Sequence, residues 1–97
     1  MRVTLSDWGK SLGTRDLGEK VRMHLLNELE FSKTPIEVSF CDVFMISSSF
    51  ADECFGKLIL GIGKEQFKRC FQIIDLNDKD LKLVLNRSVK QRLAEVN

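Results

Sequence analysis

The feature that most constrains this chain is a run of β-formers, Ile36, Val38, Phe40, Val43 and Phe44, that stops at the tripeptide Ser47-Ser48-Ser49. Toward the end of the run, apolar residues nearly fill both faces of an extended chain. That is the pattern of an interior strand, which needs cover on each side. A strand over residues 36–40, with the same pattern running on to Met45, therefore predicts a layered fold in which helices pack on a sheet.

Stripes of helical period supply the cover. Leu17, Val21, Leu25 and Leu29 recur every four residues on a segment that Thr14 can cap, with Asp16 and Glu19 near its positive end. This helix is expected to run to Glu30, and Pro35 cannot continue it. Gly18 weakens it by up to about 1 kcal/mol relative to alanine, and leaves room for a close backbone approach. A second helix is expected from Phe50 to Leu60, with Phe50, Ala51, Cys54, Phe55, Leu58 and Ile62 covering a broad face, ended by Gly61 and Gly63. Leu81, Val84, Leu85, Val89, Leu93 and Val96 make one stripe on a last helix capped by Asn77 or Asp78. Short strands at residues 2–5 and 69–76 complete the order β-α-β-α-β-α, with residues 8–13 as a loop. Right-handed crossovers make the central sheet mostly parallel, so the expected fold is a small α/β sandwich formed by residues 1–97 as a single domain.

Composition narrows the function classes. The 15 lysines and arginines against 14 acids leave a net charge of +1, without the positive excess on which affinity for nucleic acid or anionic lipid rests. No apolar run approaches the length of a membrane span and no signal-peptide core opens the chain, so a cytoplasmic protein is expected. Cys41, Cys54 and Cys70 lie in apolar runs without metal-ligand spacing, and His24 is the only histidine. Buried free thiols in a reducing compartment, with no metal and no cofactor, are the expectation.

The joint after the strand carries the chemistry. Ser47, Ser48 and Ser49 precede Phe50 and Ala51, and two acids, Asp52 and Glu53, stand in the first turn of the helix. Ser49 and Asp52 have the spacing of a capping box, and Glu53 and Lys57 are spaced to pair across one turn. On that reading these residues only start a helix well. The functional reading concerns position: in an open α/β sheet, ligands and partners meet the fold beyond the carboxyl ends of the strands. A serine exposed there would, once phosphorylated, add nearly two negative charges to the docking surface, although nearby acids would repel the phosphate. Arg15, beside Thr14, could reach Asp52 or Glu53 as an ion pair, or hold an anion in a shared cleft.

The strand and box together, with Thr14-Arg15 upstream, resemble the STAS-like domain family of unknown function, DUF4325. Members share a Phe-Ala-Asp-Glu box after a strand end, matched by Phe50, Ala51, Asp52 and Glu53, and a Ser-Arg or Thr-Arg pair opening the first helix. They carry Asp-Phe-x-Gly-Val in the strand, where Ser39 and Asp42 replace the acid and the glycine. The wider STAS group includes anti-sigma factor antagonists with a phosphorylated serine at this joint. By resemblance Ser48 falls at that serine, with Ile46 and Ser49 in place of the flanking Asp and Gly. The resemblance implies a non-enzymatic regulatory module that docks a protein partner, such as a histidine-kinase-like ATPase, through Ser47, Ser48, Ser49, Phe50, Asp52 and Glu53.

Competing signals carry less. Gly9-Lys10-Ser11 lacks the first glycine and preceding strand of a phosphate loop, and Gly61-Ile62-Gly63-Lys64 follows a helix. His24 has no nucleophile in a recognised spacing. Asp75, Asp78 and Asp80 are adequately explained by capping and solvation, and Lys79, Lys82, Arg87, Lys90 and Arg92 by a solvated helix face. The alternative function is a small-ligand or nucleotide-binding domain that uses the loop from Gly9 to Arg15 and the start of the second helix. An enzyme has the least support.

Overall fold

The computed structural model describes residues 1–95; Val96, the last member of the C-terminal stripe, lies outside them. Three parallel strands form the main sheet: β1 (Arg2–Thr4), β3 (Ile36–Ser39) and β5 (Phe71–Ile74), in the order β1-β3-β5. A separate parallel pair joins β2 (Ser11–Leu12) to β4 (Met45–Ile46). The helices are α1 (Arg15–Phe31), α2 (residues 48–62), α3 (Lys64–Cys70) and α4 (Lys79–Glu95). Mixed α/β architecture with parallel strands is what the alternation of patterns predicts, because parallel neighbours require a crossover and helices supply it.

The central strand is β3. Val38 stands opposite Val3 on one side and Ile73 on the other, and Ile36 opposite Phe71. Ile36, Val38 and Ser39 are buried, as a strand covered on both faces requires. Buried Ser39 keeps its hydroxyl satisfied: it donates to Asp75 Oδ2 at 2.6 Å and accepts from the Cys41 amide at 3.2 Å. Val21 and Leu25 of α1, Phe50, Cys54, Phe55 and Leu58 of α2, and Leu81 and Leu85 of α4 join the same core. Phe55 lies at its centre, stacked on Phe40 at 5.9 Å and edge-on to Phe50 at 6.5 Å. Trp8, in the 3-10 turn Leu5–Trp8, meets His24 edge-on at 5.1 Å, and the His24 ring also lies 3.7 Å from the Glu28 carboxylate.

Several boundaries differ from the sequence expectation, each for a local reason. β3 does not run on to Met45. Asp42 adopts φ 63, a left-handed conformation that turns the chain out of the sheet, and the Val43 amide closes the turn on the Phe40 carbonyl at 3.1 Å. Extended structure resumes at β4, which pairs with β2 in a stretch expected to be loop. The strand expected over residues 69–76 shortens to β5, because Arg69 and Cys70 close α3, whose basic last turn suits a helix C-terminus. Among the thiols only Cys54 is buried; Cys70 is half-buried, and Cys41, expected inside, is exposed on the turn after β3.

Candidate functional site

The short β2–β4 pair sets the geometry of the joint. Leu12 stands opposite Ile46, and the Ser47 amide donates to the Leu12 carbonyl at 3.0 Å. Each strand runs within three residues into a helix, so Thr14 and Ser47 start α1 and α2 side by side. Thr14 Oγ1 caps α1 by accepting from the Leu17 amide at 3.2 Å. At α2 the cap is Ser47, whose Oγ accepts from the Phe50 amide at 3.0 Å. The capping box expected of Ser49 and Asp52 is therefore not formed: the helix begins two residues earlier, and Asp52 is held elsewhere.

What holds Asp52 is a cluster of charges around a π-helical turn, Asp52–Gly56, in the middle of α2. Such widened turns recur at functional sites. Here α1 and α4 flank the turn. Asp52 meets Arg92 of α4 in a two-pronged contact, Nε to Oδ1 at 2.5 Å and Nη2 to Oδ2 at 2.7 Å. Glu53 meets Arg22 of α1 at 2.8 Å and Lys57 at 3.0 Å, and Arg22 also donates to the Glu53 carbonyl. Arg15 bridges the two acids, with Nη1 2.9 Å from Asp52 and 3.3 Å from Glu53. Arg15, Gly18 and Arg22 thus share one face of α1, at helical spacing.

Two glycines allow this approach. A Cβ on Gly18 would lie 2.9 Å from both the Phe50 carbonyl oxygen and Glu53 Cβ, and one on Gly56 would lie 2.8 Å from Arg92 Cγ. The electrostatics follow from the geometry. Asp52 is held down at about 2, chiefly by Arg92 and further by Arg15, against the opposing effect of burial. Glu53 is likewise lowered to about 2, first by Arg22 and then by Lys57, again against burial. Asp52 in turn raises the pKa of Arg92 and of Arg15. Burial pushes the Cys54 thiol up, away from the thiolate a nucleophile needs.

The expected site residues divide into two groups. Ser48 is exposed, Ser47 and Ser49 are half-buried, and Thr14 and Arg15 are exposed. Phe50 and Glu53, expected on the docking surface, are withdrawn from it. Phe50 is 0% exposed and Glu53 6%, because the aromatic ring belongs to the core and the carboxylate to the ion cluster. Arg92, expected on a solvated face, is half-buried against Asp52; Arg22 was not anticipated at all. Their signal is present in the sequence as small residues beside arginines: Gly18 before Arg22, and Ser88, which is buried, one turn before Arg92. Asp78 caps α4, its Oδ1 accepting from the Asp80 and Leu81 amides at 2.8 and 3.1 Å. No group of His, Cys, Asp and Glu side chains among the described residues is placed to hold a metal ion. No helix among them is long and apolar enough to cross a membrane.

In the segment before Ser48, two large apolar side chains are exposed. Phe44 is 68% exposed and Met45 43%, with Lys10 Nζ 5.6 Å from the Phe44 ring centroid. Comparison with known families gives one match: the model described as STAS-like domain of unknown function (DUF4325) covers residues 18–81. That span holds the whole of β3, the serine joint and α2, and leaves Thr14 and Arg15 outside. Nothing matches among the curated proteins or among the solved structures.

Proposed function

Because this chain belongs to the STAS-like domain family of unknown function (DUF4325), we propose that it is a non-enzymatic regulatory module whose α2 N-terminus docks a protein partner. The observation that carries this reading is the exposed Ser48 at the first position of α2, three and four residues after the exposed Met45 and Phe44. An apolar patch rimmed by polar groups is the ordinary form of a protein-binding surface. Ser48, Ser49 and Asp52 supply the polar groups here, while Phe50 and Glu53 support them from behind.

Phosphorylation of Ser48 is the proposed switch. Asp52 lies one turn along α2, but its charge is already matched by Arg92 and Arg15, so the repulsion expected of a bare carboxylate is reduced. Four cations, Arg15, Arg22, Lys57 and Arg92, surround the two acids, leaving the cluster with net positive charge. The small-ligand alternative has less support, since Arg15, the cation it needs, is engaged by both acids. The test is intact-mass analysis after incubation with ATP and a histidine-kinase-like ATPase. Addition of one phosphate, lost in Ser48→Ala, is expected; a phosphate that persists in Ser48→Ala removes Ser48 from the proposal.

A further inference from the structure

On the far stretch of α2, away from the serine joint, the fold leaves an apolar cavity of about 210 Å³. Phe55 and Ile59 of α2, Ile73 of β5 and Leu85 and Val89 of α4 line it, and Phe67 of α3 closes one side. This half-open cleft has a volume in the range that takes up small apolar molecules: an enclosed cavity of about 150 Å³ accepts benzene. By the same proportion 210 Å³ suits a chain of roughly eight carbons.

Two features give the cavity a polarity. Lys64 and Lys68 stand at its edge on one face of α3, and neither has an ion-pair partner among the described residues. No acid among the described residues lines the cavity. The helix that carries the lysines is also the loosest cover in the fold. α3 has no buried residue, and it is held by Phe67, half-buried and stacked on Phe71 at 5.4 Å. The cavity is half open to solvent beside α3, so a ligand can enter without opening the core beneath.

From this juxtaposition of an eight-carbon apolar void and two unpaired lysines we infer that the cavity binds a small amphipathic carboxylate, its hydrocarbon body inside and its headgroup between Lys64 and Lys68. A cationic amphiphile is disfavoured by the same lysines, and a neutral one gains nothing from them. The site involves neither Ser48 nor Arg15, so it stands or falls independently of the docking surface.

Octanoate, octanol and octylamine are the probes, titrated below their aggregation concentrations into the isotopically labelled full chain and followed by amide chemical shifts. Octanoate is expected to shift Ile73, Leu85 and Val89 saturably and to bind about fivefold tighter than octanol, the scale of two partly exposed ion pairs. Octylamine is expected to bind weakest. In the Lys64→Gln/Lys68→Gln variant, a surface change that spares the core, octanoate should fall to the affinity of octanol. Val89→Phe, which fills the void, should abolish the shifts for all three. The inference is overturned by the absence of a saturable shift at the cavity, by shifts confined to the Phe44 and Met45 surface, or by an octanoate preference that survives loss of both lysines.

Discussion

Ser47 and Ser49 carry the same hydroxyl two positions apart, yet only Ser47 Oγ receives a helix amide, that of Phe50. Ser47→Ala should therefore cost about 1 kcal/mol of stability, the usual value of an N-cap. Ser49→Ala should stay within about 0.5 kcal/mol, as an unremarkable surface change does. Urea unfolding of the two variants separates them, and equal losses would return the cap to Ser49. Asp42 poses a second single-residue question. Its φ of 63 lies where an L side chain is crowded and glycine is at ease, and glycine is what the resembling family carries there. Asp42→Gly should be close to neutral, whereas Asp42→Val, β-branched, should lose about 1–2 kcal/mol in the same unfolding experiment. The sequence shows the departure at Asp42, but the conformation that explains it depends on where β3 leaves the sheet.

At the scale of elements, what was legible is what has a period. α1 and α4 were readable from stripes of four or more apolar residues, because burial of a helix face repeats along the chain. The start of α1 at Thr14 was readable, and that of α4 to within Asn77 or Asp78, because a cap is a local contact; the structure gives the second cap to Asp78. β2, β4 and the π turn were not. The two-residue strands exist only because each pairs with the other across the chain. The π turn is seated between α1 and α4, whose approach no local pattern records. Arg92 fell to the same limit: an arginine on a helix face reads as solvated until the partner across the fold is known. Gly18 marks the closest of these approaches. Gly18→Ala improves the helix propensity of α1 by up to about 1 kcal/mol. Against that, its Cβ would press on the Phe50 carbonyl and Glu53 Cβ at 2.9 Å, and backbone cannot yield as a flexible side chain can. Net destabilisation of about 1–3 kcal/mol, the range of overpacking, is the expected outcome of thermal or urea unfolding. A stabilised Gly18→Ala protein would show that α1 and α2 stand further apart.

For the molecule as a whole, the ion cluster ties the last helix to the rest of the chain. Arg92 is 40 residues from Asp52, and Arg22 and Arg15 are 31 and 37 or more residues from their acids, so these contacts close only when the whole fold is assembled. Stability should then depend on pH in a defined way. The folded values of Asp52 and Glu53, about 2, lie below their ordinary values of 3.8 and 4.5. A lowered carboxylate favours the fold whenever it is ionised in both states, so the contribution is complete above about pH 5 and fades as the pH falls toward 2. Over that window the pair should account for a loss on the order of 2 kcal/mol once solvent around Asp52 is allowed for. Arg92→Gln removes the principal cause of the Asp52 shift while leaving Glu53 paired. It should lower stability at pH 7 by about 2 kcal/mol, as loss of a charged, part-buried hydrogen-bonded pair does, and flatten the acid limb of the profile. Arg15→Gln, which strips an exposed bridge, should leave most of that limb in place. Asp52→Asn in the Arg92→Gln background should then cost much less than in the wild type, because the two groups act on one another. Urea midpoints measured from pH 2 to pH 7 for the wild type, the three single variants Arg92→Gln, Arg15→Gln and Asp52→Asn, and the double variant decide it. If the acid limb is unchanged in Arg92→Gln, α4 is held by its buried leucines alone, and the cluster does not fasten the C-terminal helix.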